Sequence, residues 1–326
     1  MSGLDAETAA LRHGAGAFRS SRDVLAVRGP DAEAYLQGQL SQDVAALAVG
    51  GAADSLLLEP DGKLSALLRV TRIDGQGFVL DVDAGYGEAV AARLRRFLLR
   101  SKVEMEKLAW RCLSLRGPAV GEAAAGLLAV LAERGVLALP FEWNGWEGID
   151  LLGSEDVVLG PEAAELPAGL VACGPAAVEA CRIVAGIPAM GTELTGKTIA
   201  AEAGLVERTV SFTKGCYTGQ ELVARIDARG SNTPRRLRGL VIEGGQSDPA
   251  PAAGDAVVSA DGVQVGEVTR AAWSPGQQAW VALGYVKRGT DVPAPVSVTS
   301  GGDGASGSGP RSATVRSLPL FEALVA

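Results

Sequence analysis

The segment of the chain best equipped for chemistry is residues 211–225, SFTKGCYTGQELVAR. It contains a single cysteine, Cys216, in a stretch flanked by Gly215 and Gly219. Because glycine adopts tight and left-handed backbone at little steric cost, the polar groups between the two glycines can converge on one ligand. The segment therefore predicts Cys216 as the catalytic residue. The neighbouring side chains predicted to contact a cofactor are Lys214, Tyr217, Gln220, Glu221 and Arg225.

Positive charge surrounds this segment. Residues 205–240 contain seven Lys or Arg residues and three Asp or Glu residues, whereas the whole chain has a formal net charge of −8. Cationic neighbours stabilise a thiolate over a thiol, and they also attract anionic ligands. From the residues alone, a role as a small buried hydrophobic side chain also stays open for Cys216. Glu221 and Arg225 are four residues apart, so a surface ion pair on a helix is the alternative to a ligand contact.

Length and composition indicate a globular protein of more than one domain. The 326 residues exceed the usual size of one domain, and the apolar and charged fractions of 47% and 21% are ordinary. The acidic net charge argues against direct binding of nucleic acid. No apolar run is long enough to span a membrane, and the N-terminus lacks the order of a signal peptide. We therefore expect a cytoplasmic protein with no membrane partner.

The cysteine and histidine content disfavours metal and disulfide sites. No CxxC pattern occurs, and His13 is the single histidine, so we expect neither a metal centre nor histidine-based acid–base catalysis. Four cysteines in so long a chain do not indicate a disulfide framework. A small buried hydrophobic role is expected for the three cysteines outside the segment, which are Cys112, Cys173 and Cys181.

Periodicity and turn signals predict alternating strands and helices in the first 190 residues. A Pro-Asp-Gly-Lys turn predicts a hairpin across residues 55–70. Asp31 is the expected N-cap of the first predicted helix, and Arg93 is expected on a solvated helix face. The helices are predicted over 31–40, 87–100 and 119–133 and after Gly174-Pro175. These pieces indicate two successive α+β lobes, and the absence of a GxGxxG motif disfavours a dinucleotide fold.

From about residue 237 the pattern changes to short alternating strands separated by Gly, Pro and Asp turns. This pattern is typical of a small all-β barrel or sandwich. Residues 300–309, SGGDGASGSG, are expected to form a flexible loop between the last two strands. The predicted domains are a first α+β lobe over 1–108, a second α+β lobe carrying the cysteine segment over 109–235, and a C-terminal β-barrel over 236–326.

At this point the chain resembles a known family. KGCYTGQE, residues 214–221, resembles the signature K-G-C-Y-x-G-Q-E of the YgfZ family, and we call it the KGCYTGQE motif. The flanking stretch of residues 182–194, RIVAGIPAMGTEL, resembles that family's R-x-x-x-G-I-P-x-x-G-x-E-L. Similar stretches span residues 29–44, 59–70, 198–225 and 265–275. The resemblance thus covers nearly the whole chain.

The resemblance implies a fold and a function. The implied fold is α+β, with the two-lobed folate-binding architecture of the glycine-cleavage T-protein around a central hole, followed by a C-terminal antiparallel β-barrel. The implied cofactor is tetrahydrofolate or a derivative, bound in the hole with Cys216 near its mouth. The implied role is support of the maturation or repair of iron–sulfur enzymes, including tRNA-modifying ones. The expected partners are therefore iron–sulfur enzymes or their assembly proteins.

Folate suggests further contact residues. A pterin edge requires a carboxylate or an amide opposite it, and an apolar slot around its faces. The candidate residues at that edge are Gln39, Asp43 and Asp150. A glutamate tail requires cations. The candidate cations are Lys63, Arg69, Arg182 and Arg225.

Two other functional classes stay open. The first is an aminomethyltransferase or another folate-dependent one-carbon transferase. The catalytic aspartate of T-proteins follows a strand that ends in Asn-Ala, and here Asp83-Ala84 replaces that pair while Val90 falls where the carboxylate should be. A shift of the alignment would restore Asp81, Asp83 or Glu88. The second class is an interaction scaffold without a folate pocket.

Overall fold

The two lobes are built on two five-stranded sheets. The computed structural model describes residues 2–158, 160, 166–299 and 309–321. The first sheet has the order β3-β4-β5-β2-β6 and the second β10-β1-β7-β9-β8. The strands are β1 (Gly16–Ser20), β2 (Arg22–Arg28), β3 (Ala52–Leu58), β4 (Leu64–Arg72), β5 (Gly77–Asp83), β6 (Glu104–Leu108), β7 (Trp110–Arg116), β8 (Leu137–Trp143), β9 (Trp146–Ser154) and β10 (Val171–Ala172).

Short helices accompany these sheets. They are α1 (Gly3–His13), α2 (Ala32–Gln39), α3 (Gly87–Arg95), α4 (Val120–Ala123), α5 (Ala125–Glu133), α6 (Glu155–Val158), α7 (Pro175–Ala185), α8 (Val206–Thr209) and α9 (Gln220–Asp227). Helices α2 and α3 pack on the first sheet, where Leu36 and Leu94 share a core with Phe78 of β5. Leu113 of β7 packs against Leu127 of α5 in the core of the second lobe.

The two sheets also face each other. Val24 and Val79 of the first sheet pack against Cys112, Leu139 and Leu152 of the second sheet. Strand β5 is consequently buried on both faces at every position but its last. A strand that is covered on both faces usually consists of a continuous run of apolar residues. In β5 this run is interrupted by one carboxylate of the functional site.

Strand pairing departs from the expectation of two successive lobes. Gly16–Ser20 (β1) precedes the first sheet in the chain, yet it pairs with β7 and β10 of the second sheet. The second sheet therefore combines a strand that precedes the first sheet in the chain with strands that follow it, which local patterns do not reveal. The domain boundaries at residues 108 and 235 stay predictions.

Several helix predictions need correction. The helix predicted over 87–100 ends at Arg95, and the one predicted over 119–133 is two helices, α4 and α5. Asp31 occupies the N-cap of α2, but its side chain makes no capping bond and accepts from the backbone N–H of Lys102 instead. Arg93, expected on a solvated face, is only 2% exposed.

The C-terminal part is a closed six-stranded barrel of order β11-β14-β13-β12-β15-β16, as the sequence predicts. Leu240, Ile242 and Val315 lie in its core. A short 3-10 helix, Pro275–Gln277, lies between β13 and β14, and the predicted loop at 300–309 lies almost wholly outside the described residues. The strands are β11 (Arg235–Ile242), β12 (Ala256–Ser259), β13 (Gln264–Ser274), β14 (Ala279–Lys287), β15 (Ala294–Thr299) and β16 (Arg311–Arg316).

The stretch 182–194 joins the barrel to the lobes. Arg182 of α7 donates to Glu193, with 3.1 Å between Nη1 and Oε2, and Glu193 accepts from Thr269 of the barrel. Glu193 is 1% exposed, so its charge is compensated internally. No helix among the described residues is long and apolar enough to cross a membrane.

Candidate functional site

The KGCYTGQE motif forms a loop that leads into α9 and is held against α2. The Nζ atom of Lys214 donates to the carbonyl oxygens of Gln37, Leu40 and Gln42 at 2.6, 2.6 and 2.8 Å. These carbonyls lie at the C-terminal end of α2, where a cation is favoured. Because an ammonium has three donors, none is left over for a ligand. The structure thus gives Lys214 an anchoring role, and its predicted cofactor contact stays a prediction.

Two glycines let the loop approach the β3–β4 hairpin. Gly219 has a φ of +83°, and a Cβ there would lie 2.5 Å from the carbonyl oxygen of Glu59. Gly62, at the hairpin tip with a φ of +81°, would place a Cβ 2.3 Å from that of Leu222. Only glycine fits either position. Left-handed backbone is therefore confirmed at Gly219, while the φ of Gly215 is not in the positive region.

The side chains of the motif divide into buried supports and exposed groups. Tyr217 is 9% exposed and packs in a core with Leu58 and Leu64, and burial raises its pKa to about 12. The side chain of Gln220 accepts from the backbone N–H of Tyr217 and closes the loop. Cys216 is exposed. The loop therefore presents the thiol to solvent from a rigid base.

The helix after the loop leaves two charged side chains open. Glu221 and Arg225 of α9 are both exposed. Within the described part of the chain neither makes a salt bridge, so the surface ion pair considered from the sequence is absent. Phe212 is 55% exposed on the same loop. Thiol, aromatic ring and charge thus occur together on one short surface segment.

A separate cavity of about 130 Å³, which we call the central cavity, lies between the two lobes. Its apolar wall includes Phe141, Trp143, Ile187 and Pro188. Its other lining residues are Ser20, Arg22, Asp54, Leu67, Leu68, Arg69, Asp83, Cys112, Arg116 and Asp150. No residue of the KGCYTGQE motif lines this cavity. The expectation that Cys216 lies near the mouth of the hole therefore stays a prediction.

Charged groups at the cavity form one connected network. Asp150 accepts from Arg69 and Arg116, each at 2.8 Å, and from Ser114 at 2.6 Å. Arg69 also donates to Asp81 at 2.9 Å between Nε and Oδ2. Such pairs persist in a buried site only because each charge has partners.

The network continues toward the mouth of the cavity. Arg22 is paired with Asp81 at 2.6 Å and with Asp83 at 2.7 Å. The Asp83 side chain is 38% exposed, and its other oxygen accepts from the backbone N–H of Met190. The charges of three arginines thus balance those of three aspartates. Among these three carboxylates, Asp83 is the most exposed to solvent.

Protonation in the cavity follows from these contacts. Burial opposes ionisation of Asp150, but the charges of Arg116 and Arg69 outweigh it and hold the pKa of Asp150 well below its usual range. Burial raises the pKa of Cys112 to about 12, although Arg69 acts in the opposite direction. Cys112 is therefore a neutral thiol at physiological pH. The expected burial is confirmed for Cys112 and Cys181, while Cys173 is partly exposed.

Of the other folate candidates, Asp150 and Arg69 line the cavity and the rest do not. Gln39 is buried and its Oε1 accepts from Arg93, whereas Asp43 accepts from Gln37. Arg182 pairs with Glu179 and Glu193. Lys63 is exposed and pairs with Asp61. Val90 is a core residue, and Glu88 pairs with Arg95 at the surface.

Sequence reasoning missed Arg22 and Arg116. Arg22 is directly opposite Asp83 in the β2–β5 register, so a cross-strand pair of opposite charge was the available signal. Arg116 ends β7, and its guanidinium lies 3.5 Å from the ring centroid of Phe141. Its Nε is buried without a hydrogen-bond partner among the described residues. No local pattern indicates that position.

These features define the class of the protein. Two α+β lobes surround a charged cavity, and a closed barrel follows. The solved aminomethyltransferase T of Bartonella henselae has the same fold, with a TM-score of 0.77 and 24% identity over 98% of this chain and 90% of that one. Family models described as "GCVT N-terminal domain" and "Glycine cleavage T-protein C-terminal barrel domain" match residues 1–157 and 235–321.

Curated relatives agree with this class. An aminomethyltransferase of Streptomyces avermitilis is 30% identical over 303 residues, 86% of this chain and 80% of the relative. A tRNA-modifying protein YgfZ of Klebsiella pneumoniae is 30% identical over 239 residues, 70% of this chain and 71% of the relative. The chain belongs to the glycine-cleavage T-protein family, a folate-associated family that includes YgfZ.

Proposed function

We propose that this protein binds tetrahydrofolate in the central cavity and supports iron–sulfur enzymes through the exposed thiol of Cys216. The proposed support of iron–sulfur enzymes rests on the KGCYTGQE loop. An exposed cysteine on a loop pinned by three charge-assisted hydrogen bonds is not needed for packing, because its removal leaves no void. Such a thiol is available to a partner protein or a small molecule. A relative named tRNA-modifying protein YgfZ supports the part of this role that concerns tRNA-modifying enzymes.

The shape and the polarity of the central cavity support the proposed binding of tetrahydrofolate. Its volume of about 130 Å³ is below the roughly 300–1,000 Å³ of whole-ligand pockets, so it suits a flat head group whose tail extends outside. Phe141 and Trp143 would cover the faces of a pterin. Asp150 stays ionised and would accept from the pterin edge, and the unpartnered Nε of Arg116 would donate to a carbonyl there. Bound folate supplies a one-carbon carrier.

The decisive experiment for Cys216 uses cells that lack this protein. We expect the Cys216→Ala variant to restore none of the activity of affected iron–sulfur enzymes, while the purified variant unfolds at the wild-type denaturant concentration. Thr213→Ala is the matched control, since Thr213 is exposed on the same loop. That control is expected to rescue fully. Full rescue by Cys216→Ala would refute the assigned role.

Folate binding is tested separately by calorimetric titration with tetrahydrofolate. We expect Trp143→Ala to weaken binding and Cys216→Ala to leave it unchanged, because Trp143 lines the cavity and Cys216 does not. Absence of any heat at high ligand concentration would instead favour an interaction scaffold.

An aminomethyltransferase is the second candidate function. Asp83 favours it, because this carboxylate lines the cavity and is partly exposed, and several relatives are named aminomethyltransferases. Against it, both oxygens of Asp83 are engaged, by Arg22 and by the N–H of Met190. Turnover in a glycine-cleavage assay that Asp83→Asn abolishes would establish this candidate. No turnover, together with measurable folate binding, favours the first.

A further inference from the structure

A second polar pocket, of about 270 Å³, lies where the barrel meets the segment around α8. Its floor is formed by β11. The side chains of Leu240 and Ile242 point into the barrel core, and Arg236 and Arg238 continue that same face because strand residues alternate. Strand β16 pairs with β11 only from Gly239 onward. The two arginines therefore lie beyond the end of β16, at an open end of the barrel.

Neither arginine has a carboxylate partner among the described residues. Arg236 donates one Nη2–H to the carbonyl oxygen of Ser231, and its Nε is buried without a partner. Arg238 makes no side-chain hydrogen bond or salt bridge in the described part of the chain. Burial, and next the charge of Arg236, lower the pKa of Arg238, so the two guanidinium groups repel each other. A guanidinium remains charged under such conditions, and the repulsion persists until an anion offsets it.

The other walls of the pocket restrict what can enter. Glu202 lines it, but its carboxylate is paired with Arg235 at 3.2 Å. Glu207 also lines it, on α8, and it has no salt bridge among the described residues. The remaining lining residues are uncharged: Ala201, Gly204, Val206, Ser231 and Leu237. Two uncompensated cations thus face one uncompensated carboxylate across a pocket near the lower end of the size of ligand sites.

We propose that this pocket binds a small oxyanion, with the anionic group on Arg236 and Arg238 and a hydroxyl or amino donor of the same molecule facing Glu207. Paired guanidinium groups match the geometry of phosphate and of carboxylate oxygens. The site is distinct from the central cavity, because the two pockets share no lining residue. It adds a second small-molecule site to the folate site proposed above.

The test is calorimetric titration of the full chain at low ionic strength, with pyrophosphate as the phosphate probe and citrate as the carboxylate probe. We expect at least one probe to bind, and the tighter one identifies the class of oxyanion. Arg238→Gln is expected to weaken that binding by about tenfold or more, because it removes charge-assisted hydrogen bonds. Glu207→Gln is expected to tighten the binding of pyrophosphate, since it removes a negative charge that faces the anion.

Arg316→Gln is the matched control, because Arg316 is exposed on β16 and opposite Gly239, outside the pocket. It is expected to bind as the wild type. Failure of both probes at millimolar concentration, or equal weakening by Arg316→Gln and Arg238→Gln, would overturn the proposal. So would an equal loss of tetrahydrofolate affinity in Arg238→Gln, which would assign the pocket to the folate tail. Arg238→Lys, which retains the charge, checks that any loss does not come from misfolding.

Discussion

The central cavity and the KGCYTGQE loop each present a cysteine, and they treat it in opposite ways. Cys112 lies in the cavity wall, 2% exposed, with Arg69 among the charged groups that act on it. Cys216 lies on the surface, on a loop whose rigidity comes from Lys214 and the carbonyls of α2. Nearby cations do not make Cys112 reactive, because burial raises its pKa more than Arg69 lowers it. Exposure decides which thiol is available.

The two regions also differ in what holds them. Every charged group of the cavity network is paired with side chains from other strands, so one substitution affects several partners. The loop is held by bonds to main-chain oxygens, which no substitution on α2 removes. A substitution in the cavity network should therefore destabilise several strands, whereas a substitution in the loop should have only a local effect.

The largest effect is expected in thiol reactivity. At pH 8, a thiol with a pKa of about 12 is ionised to roughly one part in ten thousand, and Cys112 is also buried, so iodoacetamide should modify the exposed Cys216 orders of magnitude faster than Cys112. Mass spectrometry of the alkylated peptides over time measures the ratio. In urea, all four cysteines should react alike. Comparable rates in the native protein would abolish the distinction between the two regions.

The next effect is on stability. Asp150→Asn leaves Arg116 without its charge partner and Arg69 paired with Asp81 alone, and we expect a loss of about 3 kcal/mol in the free energy of unfolding. Urea denaturation measures it. Asp227→Asn is the matched control, because Asp227 is exposed at the end of α9 and its substitution should change little. A loss below about 1 kcal/mol for Asp150→Asn would show that the network does not support the fold.

The same carboxylate predicts the response to acid. Its folded-state pKa is lowered, so its contribution to stability is complete above the ordinary carboxyl pKa of about 4 and is lost as the pH falls below that value. The wild type should therefore lose stability more steeply than Asp150→Asn below about pH 4. Parallel profiles of the two proteins would contradict the charge assignment of Asp150.

The smallest effect is expected at the loop. Lys214→Met removes three hydrogen bonds from an ammonium to carbonyl oxygens, and we expect a loss of about 2 kcal/mol in the free energy of unfolding. Hydrogen exchange should become faster around residues 211–219 and stay unchanged in β7 and β9. Equal acceleration in those strands would show that the two regions are coupled. Lys63→Met serves as control, because Lys63 is exposed and its one salt bridge among the described residues is with Asp61.

The sequence by itself determined the local structure and the surface chemistry. Alternation and turns predicted the β3–β4 hairpin and the barrel strands, because a period of two and a Pro-Asp-Gly turn act within a few residues. The glycines of residues 214–221 likewise predicted a loop, although the sequence left open whether its cysteine is buried. Its supports were not predictable, because Lys214 meets the end of α2 only in the folded chain.

The tertiary structure alone decided which charges are buried and which strands share a sheet. Arg93 has the sequence context of a solvated helical residue, yet it is buried against Leu58 and Gln39. Strand β1 joined the second sheet through pairing with β7, about a hundred residues away along the chain. Asp150 obtained its partners from β4 and β7. In each case the deciding contact joins distant segments, and periodicity carries no information about such contacts.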